Sequence, residues 1–350
     1  MLAYEELESE VIEKGLCTYC GACVASCPLQ HLKWIDERPK RPEKKAACED
    51  CGTCYHACYQ TEFERGAIEQ EIFGRCRKED EDIGIYRRVI AAKSADERIL
   101  EKAQDGGVVT TILVYMLEEK LIDGAILTER EEKSDGSWMP FPKVAKSKEE
   151  IIAAAGTKYG ISPILLKVRT AVIDDVLDNI CIVGLPCHVQ AMRHLQHIKF
   201  DLAPAIKFVI GLFCRGNFDY EQMSKGLKKR GVRMNEVEKI SISRGFFNVY
   251  TRDTQLSIPL KETETWHSKH CLSCDDYSAE LADIAVGSEG SKEGWSSVII
   301  RTEKGEEVLS ELESKGYIRT KEIDSLDYIK ENAIRKRKKS GDKDLDFNPL

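Results

Sequence analysis

A chain of 350 residues has room for two or three domains and a sizeable core, and its formal net charge of -8, with a pI of about 5.6, excludes a nucleic-acid binder as a whole. The acidic opening MLAYEELESE lacks the apolar core of a signal peptide, and no run approaches the roughly 18 apolar residues of a membrane helix. Fourteen cysteines, most at short regular spacings, are expected of a reducing, anaerobic cytoplasm.

Residues 1–10 have the pattern of an amphipathic helix that leads into a cysteine-rich stretch. From Cys17 to Cys58 the chain reads CTYCGACVASCP, a charged connection, and CEDCGTCYHACY. Each half is C-x2-C-x2-C-x3-C, the spacing of bacterial ferredoxin ligands, in which the fourth cysteine crosses to the other cluster. On that pattern Cys17, Cys20, Cys23 and Cys58 hold one [4Fe–4S] cluster, while Cys48, Cys51, Cys54 and Cys27 hold a second. Pro28 turns the chain away after Cys27, and Tyr59 stands at the equivalent position of the second half. Gly21 and Gly52 fall where each loop must turn tightly. Zinc knuckles or a disulfide framework fit less well, because zinc sites use two C-x2-C pairs rather than four cysteines per half. The connection, residues 29–47, is basic around Pro39, Pro42 and Lys44 and reads as a solvated loop or a docking surface for an acidic carrier. Residues 60–90 read as a polar bridge in which Cys76 has a structural role.

A second domain is expected from Arg88. Short apolar runs (VIAAK, GAILT, ICIVGL, AIKFVIGLF, ADIAVG) alternate with helical-period segments such as GVVTTILVYMLEEKLI. That alternation predicts a mixed α/β core. Three constellations in it carry chemistry. In QDGGVVTT, Gly106 and Gly107 precede a helical run whose first turn holds Thr110, an arrangement that holds a phosphate or a flavin edge, or is simply a turn with an N-cap. It matches neither the dinucleotide fingerprint nor the phosphate loop. In GTKYG, Lys158 can neutralise a phosphate or a reduced flavin, or be an ordinary turn lysine. Cys187 and Cys214 each follow an apolar strand-like run, and Cys271 and Cys274 form a C-x2-C pair preceded by Trp266, His267 and His270. Those four thiolates suffice for a third cluster or for zinc. Cys181 lies inside an apolar run and reads as core. From Arg335 the polar sequence RKRKKSGDKDLDFNPL reads as a flexible tail.

The motifs QDGGVVTTIL, GTKYG, GLPCHVQAMRHL, FVIGLFCRG, HCLSCDDYSAELADIAVG and GWSSVIIRTEKG, in this order over residues 90–305, resemble the family of coenzyme F420 hydrogenase/dehydrogenase beta subunits. With a two-cluster module in front, the chain is similar to the electron-input subunit of the archaeal reduced-F420 dehydrogenases of methanogenesis. The resemblance implies FAD and three [4Fe–4S] clusters, the third held by Cys187, Cys214, Cys271 and Cys274. It also implies that Gly106, Gly107, Thr110, Thr157, Lys158 and Tyr159 lie around FAD. One departure is Ser288, where the family often has aspartate.

The expected fold is α+β: a bacterial-type 2[4Fe–4S] ferredoxin module with linker (1–87), a mixed α/β flavin-binding domain (88–334) and a polar tail (335–350). The implied activity is oxidation of reduced coenzyme F420 by hydride transfer to FAD. Single electrons then pass through the clusters to larger subunits of a membrane-bound complex (methanophenazine or quinone reductase) or to ferredoxin. A deazaflavin gives up electrons only as a hydride, and clusters accept them one at a time, so a flavin between them is needed. Hydride transfer between stacked rings requires no acid or base, and none is assigned, although His188 is the first to test. The coenzyme's acidic tail calls for a basic entrance, with Lys167, Arg169 and Arg193 as candidates. The alternatives are a beta subunit of an F420-coupled formate dehydrogenase or hydrogenase, and a non-enzymatic adaptor with a zinc site. The expected location is cytoplasmic, peripheral to the membrane through partner subunits, with neither a span nor nucleic acid.

Overall fold

Glycine sets up both cysteine loops. In the computed structural model, which describes residues 3–41, 48 and 51–341, helix α1 (Ala3–Leu7) continues into a wider turn, Glu8–Ile12, and the chain then reaches the first cysteines. Helices α2 (Ala22–Ala25) and α3 (Thr53–His56) each start from a left-handed glycine, Gly21 at φ 89° and Gly52 at φ 65°. Side chains rarely adopt that conformation, so glycine is required there. A hairpin of β1 (Lys33–Ile35) and β2 (Arg38–Lys40) separates the halves. Most of the basic connection, 42–47, lies outside the described residues. The bridge expected over 60–90 contains a helix, α4 (Arg65–Phe73), which buries Ile68 and Glu69.

The body is built on an eight-stranded sheet. Its strands are β3 (Arg88–Ser94), β4 (Gly124–Glu132), β5 (Trp138–Ala145), β6 (Ile180–Gly184), β7 (Ile206–Leu212), β11 (Ile284–Gly287), β12 (Ser296–Ile300) and β13 (Ile318–Lys321), in the order β13-β3-β12-β11-β7-β6-β4-β5. The strands β11, β7, β6 and β4 run parallel, and β12, β13 and β5 pair antiparallel at the flanks. The five apolar runs read from the sequence are β3, β4, β6, β7 and β11. All five residues of β6 (ICIVG) are buried, as a strand covered on both faces requires.

Helices cover both faces. On one side α5 (Glu97–Lys102), α6 (Val108–Glu118), α7 (Lys148–Ala153) and α11 (Glu303–Ser314) supply apolar residues such as Ile99, Leu113, Ile151 and Leu309. On the other, α8 (Leu166–Arg169), α9 (Pro186–His197) and α12 (Leu326–Gly341) pack with Ala57, Tyr59 and Ile68 of the cysteine module in one core. Helix α10 (Tyr220–Lys228) and a three-stranded sheet of β8 (Val237–Ser243), β9 (Phe246–Thr251) and β10 (Gln255–Pro259) enclose a separate aromatic core of Trp138, Phe218, Phe247 and Trp266.

Residues 335–341 differ from the expected flexible tail. They are the last turns of α12, whose buried stripe is Ile329, Asn332, Ala333 and Lys336, a helical period with a polar residue at every other position. Residues 342–350 lie outside the described residues. No helix among the described residues is long and apolar enough to cross a membrane.

Candidate functional site

Folding gathers twelve of the fourteen cysteines into three groups. Cys23 lies within electrostatic reach of Cys17, Cys20 and Cys58. Cys27, Cys48, Cys51 and Cys54 line one small cavity beneath Pro28 and Gly52. The two groups meet where Cys54 comes within reach of Cys23 and Cys58. Burial pushes the thiols of Cys17 and Cys58 up to about 12 and that of Cys54 up to about 11. Such thiols ionise only when a cation shares the site.

The third group is assembled by the body. Cys187 opens α9 at the carboxyl end of β6, Cys214 lies two residues beyond β7, and a short turn, Lys269–Leu272, carries Cys271 with Cys274 just after it. Cys187 is buried within reach of Cys274, Cys214 and Cys271, and burial above all pushes its thiol well up. The Asn217 backbone N–H donates to Cys271 Sγ at 3.2 Å, the kind of contact that steadies a metal-bound thiolate. His270 Nε2 stands 3.5 Å from the same sulfur. Among the described residues, no three His, Cys, Asp or Glu side chains converge as a single metal ion requires.

The third group and the module are close neighbours. Cys187 feels the charge of Cys20, and buried Tyr59 lies within reach of Cys187, Cys274 and Cys20. Backbone contacts fix the approach: Leu165 N donates to Cys20 O at 2.9 Å, and His194 Nε2 lies 2.7 Å from His56 O. Arg65 and Arg77, from α4 and the bridge, reach the buried Glu280 carboxylate at 2.5 and 2.6 Å.

Beside the third group lies the carboxyl edge of the parallel strands, the place where open α/β sheets bind ligands in a crevice. Segments 102–107, 156–160 and 287–289 meet there: Asp105 lies within reach of Tyr159, Ser288 Oγ donates to Asp105 at 2.7 Å, and Gly156 packs over Lys102 O. The glycine pair also has a role in packing. A Cβ on Gly106 would lie 2.5 Å from Ala92 O and 2.7 Å from Ser296 N, so its close approach is to β3 and β12 rather than to open space. Gly107, at φ 68°, starts α6, and Thr110 is buried in the first turn. Thr157 is exposed. Lys158 Nζ donates to Ala154 O, to Ala155 O at 3.1 Å and to Gly156 O at 3.0 Å, capping α7. Burial, with Arg130 nearby, pushes its ammonium down to about 8. The Tyr159 ring packs against Phe218 and Phe247 at 6.3 and 6.1 Å between centroids.

Several sequence candidates turn out to have structural roles. His188 Nδ1 accepts from Leu185 N at 3.1 Å and caps α9, and burial pushes it down to about 3, so it stays neutral and is not poised to give up a proton. Arg193 is buried, donating to Leu281 O at 2.9 Å and pairing with Asp283 at 3.1 Å. Arg169 donates to Cys27 O at 3.3 Å, and Lys167 lies over the Phe141 ring. Arg193 is thereby held in the interior, away from any entrance. Cys181 is fully buried in the sheet, and the exposed Cys76 donates to Gly66 O at 3.4 Å.

The fold also brings in residues that the sequence did not single out. Gln104 Oε1 is buried beside the glycine pair with no hydrogen-bond partner among the described residues, an acceptor that suits a ligand N–H. Arg130 adds positive charge near Lys158, and Lys239 does so near Asp105. Neither stands in a motif, and only the packing of β4 and β8 reveals them. Away from this crevice, a cavity of about 450 Å³ opens between Tyr19, Trp34 and α10. Its lining sets Asp36, Glu37, Asp219 and Glu221 against Arg38, Lys133 and Lys225, which does not suit an acidic ligand.

Comparison with known proteins follows the same division. Residues 9–71 match a 4Fe-4S dicluster domain, 89–168 the N-terminal part of the coenzyme F420 hydrogenase/dehydrogenase beta subunit, and 177–326 its C terminus. A subunit of the F(420)H(2) dehydrogenase of Methanosarcina mazei is 33% identical over 311 residues, 85% of this chain and 82% of that one. The coenzyme F420-dependent sulfite reductase of Methanocaldococcus jannaschii is 34% identical over 348 residues, 95% of this chain but 52% of that one. A chain of the F420-reducing [NiFe] hydrogenase complex from Methanosarcina barkeri superposes with a TM-score of 0.72 at 37% identity, covering 75% of this chain and 93% of that one.

Proposed function

The chain belongs to the family of coenzyme F420 hydrogenase/dehydrogenase beta subunits, and we propose that it takes electrons from reduced coenzyme F420 and delivers them singly through its cysteine module. The observation that carries this reading is the unbroken succession of three cysteine groups from the crevice, through Cys20 and Cys58, to Cys54 and Cys27. Each group is proposed to hold one [4Fe–4S] cluster: Cys187, Cys214, Cys271 and Cys274 the first, Cys17, Cys20, Cys23 and Cys58 the second, and Cys27, Cys48, Cys51 and Cys54 the third. The donor set fits, because thiols that burial holds protonated, Cys17, Cys58 and Cys187 among them, ionise when positive charge is shared, and Asn217 N–H already points at one sulfur.

Bound FAD supplies the step the coenzyme and the clusters cannot make between them, accepting a hydride and releasing electrons one at a time. Its proposed holders are Gln104, Thr110, Thr157 and Lys158, with Gly106 and Gly107 shaping the loop and Tyr159 walling it. Gln104 Oε1 offers an unused acceptor, and the Lys158 ammonium offers a cation to the electron-rich reduced ring. Lys239, near Asp105, joins Lys167 and Arg169 as a candidate to face the acidic tail of the coenzyme. Buried Tyr59 lies within reach of both Cys187 and Cys20, and the Arg65–Glu280 pair ties α4 to the body, so the route from body to module runs past Tyr59.

The first test is anaerobic purification of the full chain. The proposal expects bound flavin and about twelve iron atoms per chain; protein with full iron but no flavin, even after incubation with FAD, would favour an electron-transfer adaptor. A second reading, that the chain feeds a reductase unit rather than a membrane complex, is favoured by its alignment along 95% of its length with part of a sulfite reductase. The larger subunit that copurifies separates the two.

A further inference from the structure

We propose that Lys336 raises the reduction potential of the cluster held by Cys187, Cys214, Cys271 and Cys274, acting as its fixed positive charge; this rests on the reading that those four cysteines hold an iron–sulfur cluster. Lys336 belongs to α12, which begins at Leu326, the last residue of the segment 177–326 that matches the family, so Lys336 itself lies ten residues beyond that match. The residue is 8% exposed. Two of its three N–H donors go to backbone carbonyls, Cys214 O and Asp276 O, each at 2.7 Å.

Burying an ammonium is costly without a counter-charge, and among the described residues no carboxylate forms an ion pair with it. The Asp276 carboxylate is turned instead to Glu280 N and Gln190 Nε2. The negative groups within reach of Lys336 are Cys274, Cys214, Cys271 and Asp276. A cluster on four thiolates is anionic and gains one further negative charge when it accepts an electron. A fixed cation beside it in a low-dielectric interior stabilises the reduced form more than the oxidised one. The position is suited to the task, because the same side chain ties the Cys214 loop to the turn after Cys274 and so stays at a fixed distance from the sulfurs.

The test separates charge from clamping. K336Q keeps donors for the two carbonyls without the charge, and K336R keeps the charge. Both are compared with the wild-type full chain, iron-loaded anaerobically, by redox titration followed by electron paramagnetic resonance. The proposal expects K336Q to disfavour reduction of the body cluster at least tenfold, which is about 59 mV for one electron, with the module clusters unmoved and K336R close to wild type. An unshifted K336Q, or equal shifts in K336Q and K336R, would overturn it. If K336Q takes up no iron, K336M, of similar length and neutral, carries the same comparison. Failure of the underlying reading looks different: the wild-type chain itself would bind about eight iron atoms rather than about twelve.

Discussion

Leu165 N donates to the carbonyl of Cys20 at 2.9 Å, so the first cysteine loop of the module is hydrogen-bonded into the body that holds the third group. The next residue, Gly21, makes this possible. It sits at φ 89°, and a Cβ there would lie 2.9 Å from Leu166 N. G21A should therefore cost about 1–3 kcal/mol through backbone strain and the clash and should slow electron transfer from body to module. Denaturant unfolding together with the rate of module-cluster bleaching measures both. Unchanged values would mean that the contact does not govern the approach of the two parts.

The third group can be removed without touching the module. C271S should lower iron content by about a third, leave the module clusters spectroscopically intact, and stop electrons from flavin reaching them. Normal transfer from flavin to clusters in that variant would show that Cys271 has no part in the route.

Lys158 offers a test of the crevice. K158A removes three hydrogen bonds at the end of α7 and the cation nearest Gly156. The helix end should lose about 1 kcal/mol, whereas flavin retention, followed by dialysis and absorbance, should weaken at least about tenfold, or about 1.4 kcal/mol. Wild-type flavin content and coenzyme oxidation would remove Lys158 from the site.

Glu280 holds the bridge against the body. Its buried carboxylate meets Arg65 at 2.5 Å, Arg77 at 2.6 Å and Arg337 at 3.3 Å. E280Q leaves Arg77 without its carboxylate, while Arg65 keeps Glu69 and Arg337 keeps Asp82, and it should cost about 1–3 kcal/mol in denaturant unfolding. A loss below about 1 kcal/mol would indicate that solvent already screens the cluster.

What could be read from the chain follows the range over which each signal acts. Cysteine spacing is local, and so is the apolar run of a strand, which is why the dicluster module and the strands β3, β4, β6, β7 and β11 were legible. Lys336 was not: its helix buries only Ile329 and Ala333 as apolar partners, and within RKRKK a buried lysine looks like a solvated one. Gln104 and Arg130 owe their positions to contacts between β3, β4 and loops far apart in sequence, which no spacing records. Gly106 was legible as a close approach, but its partner, the backbone of β3 and β12, emerged only from the sheet. His188 stood beside a cysteine and invited a chemical role, whereas its position at the start of α9 assigns it to the cap.

The central claim is that electrons enter from reduced coenzyme F420. Its most direct test mixes anaerobic protein, loaded with iron and flavin, with reduced F420 and, separately, with NADH, while flavin and cluster absorbance is followed. Rapid bleaching by reduced F420 and none by NADH is the predicted result. Bleaching by NADH alone, or by neither, would contradict the claim.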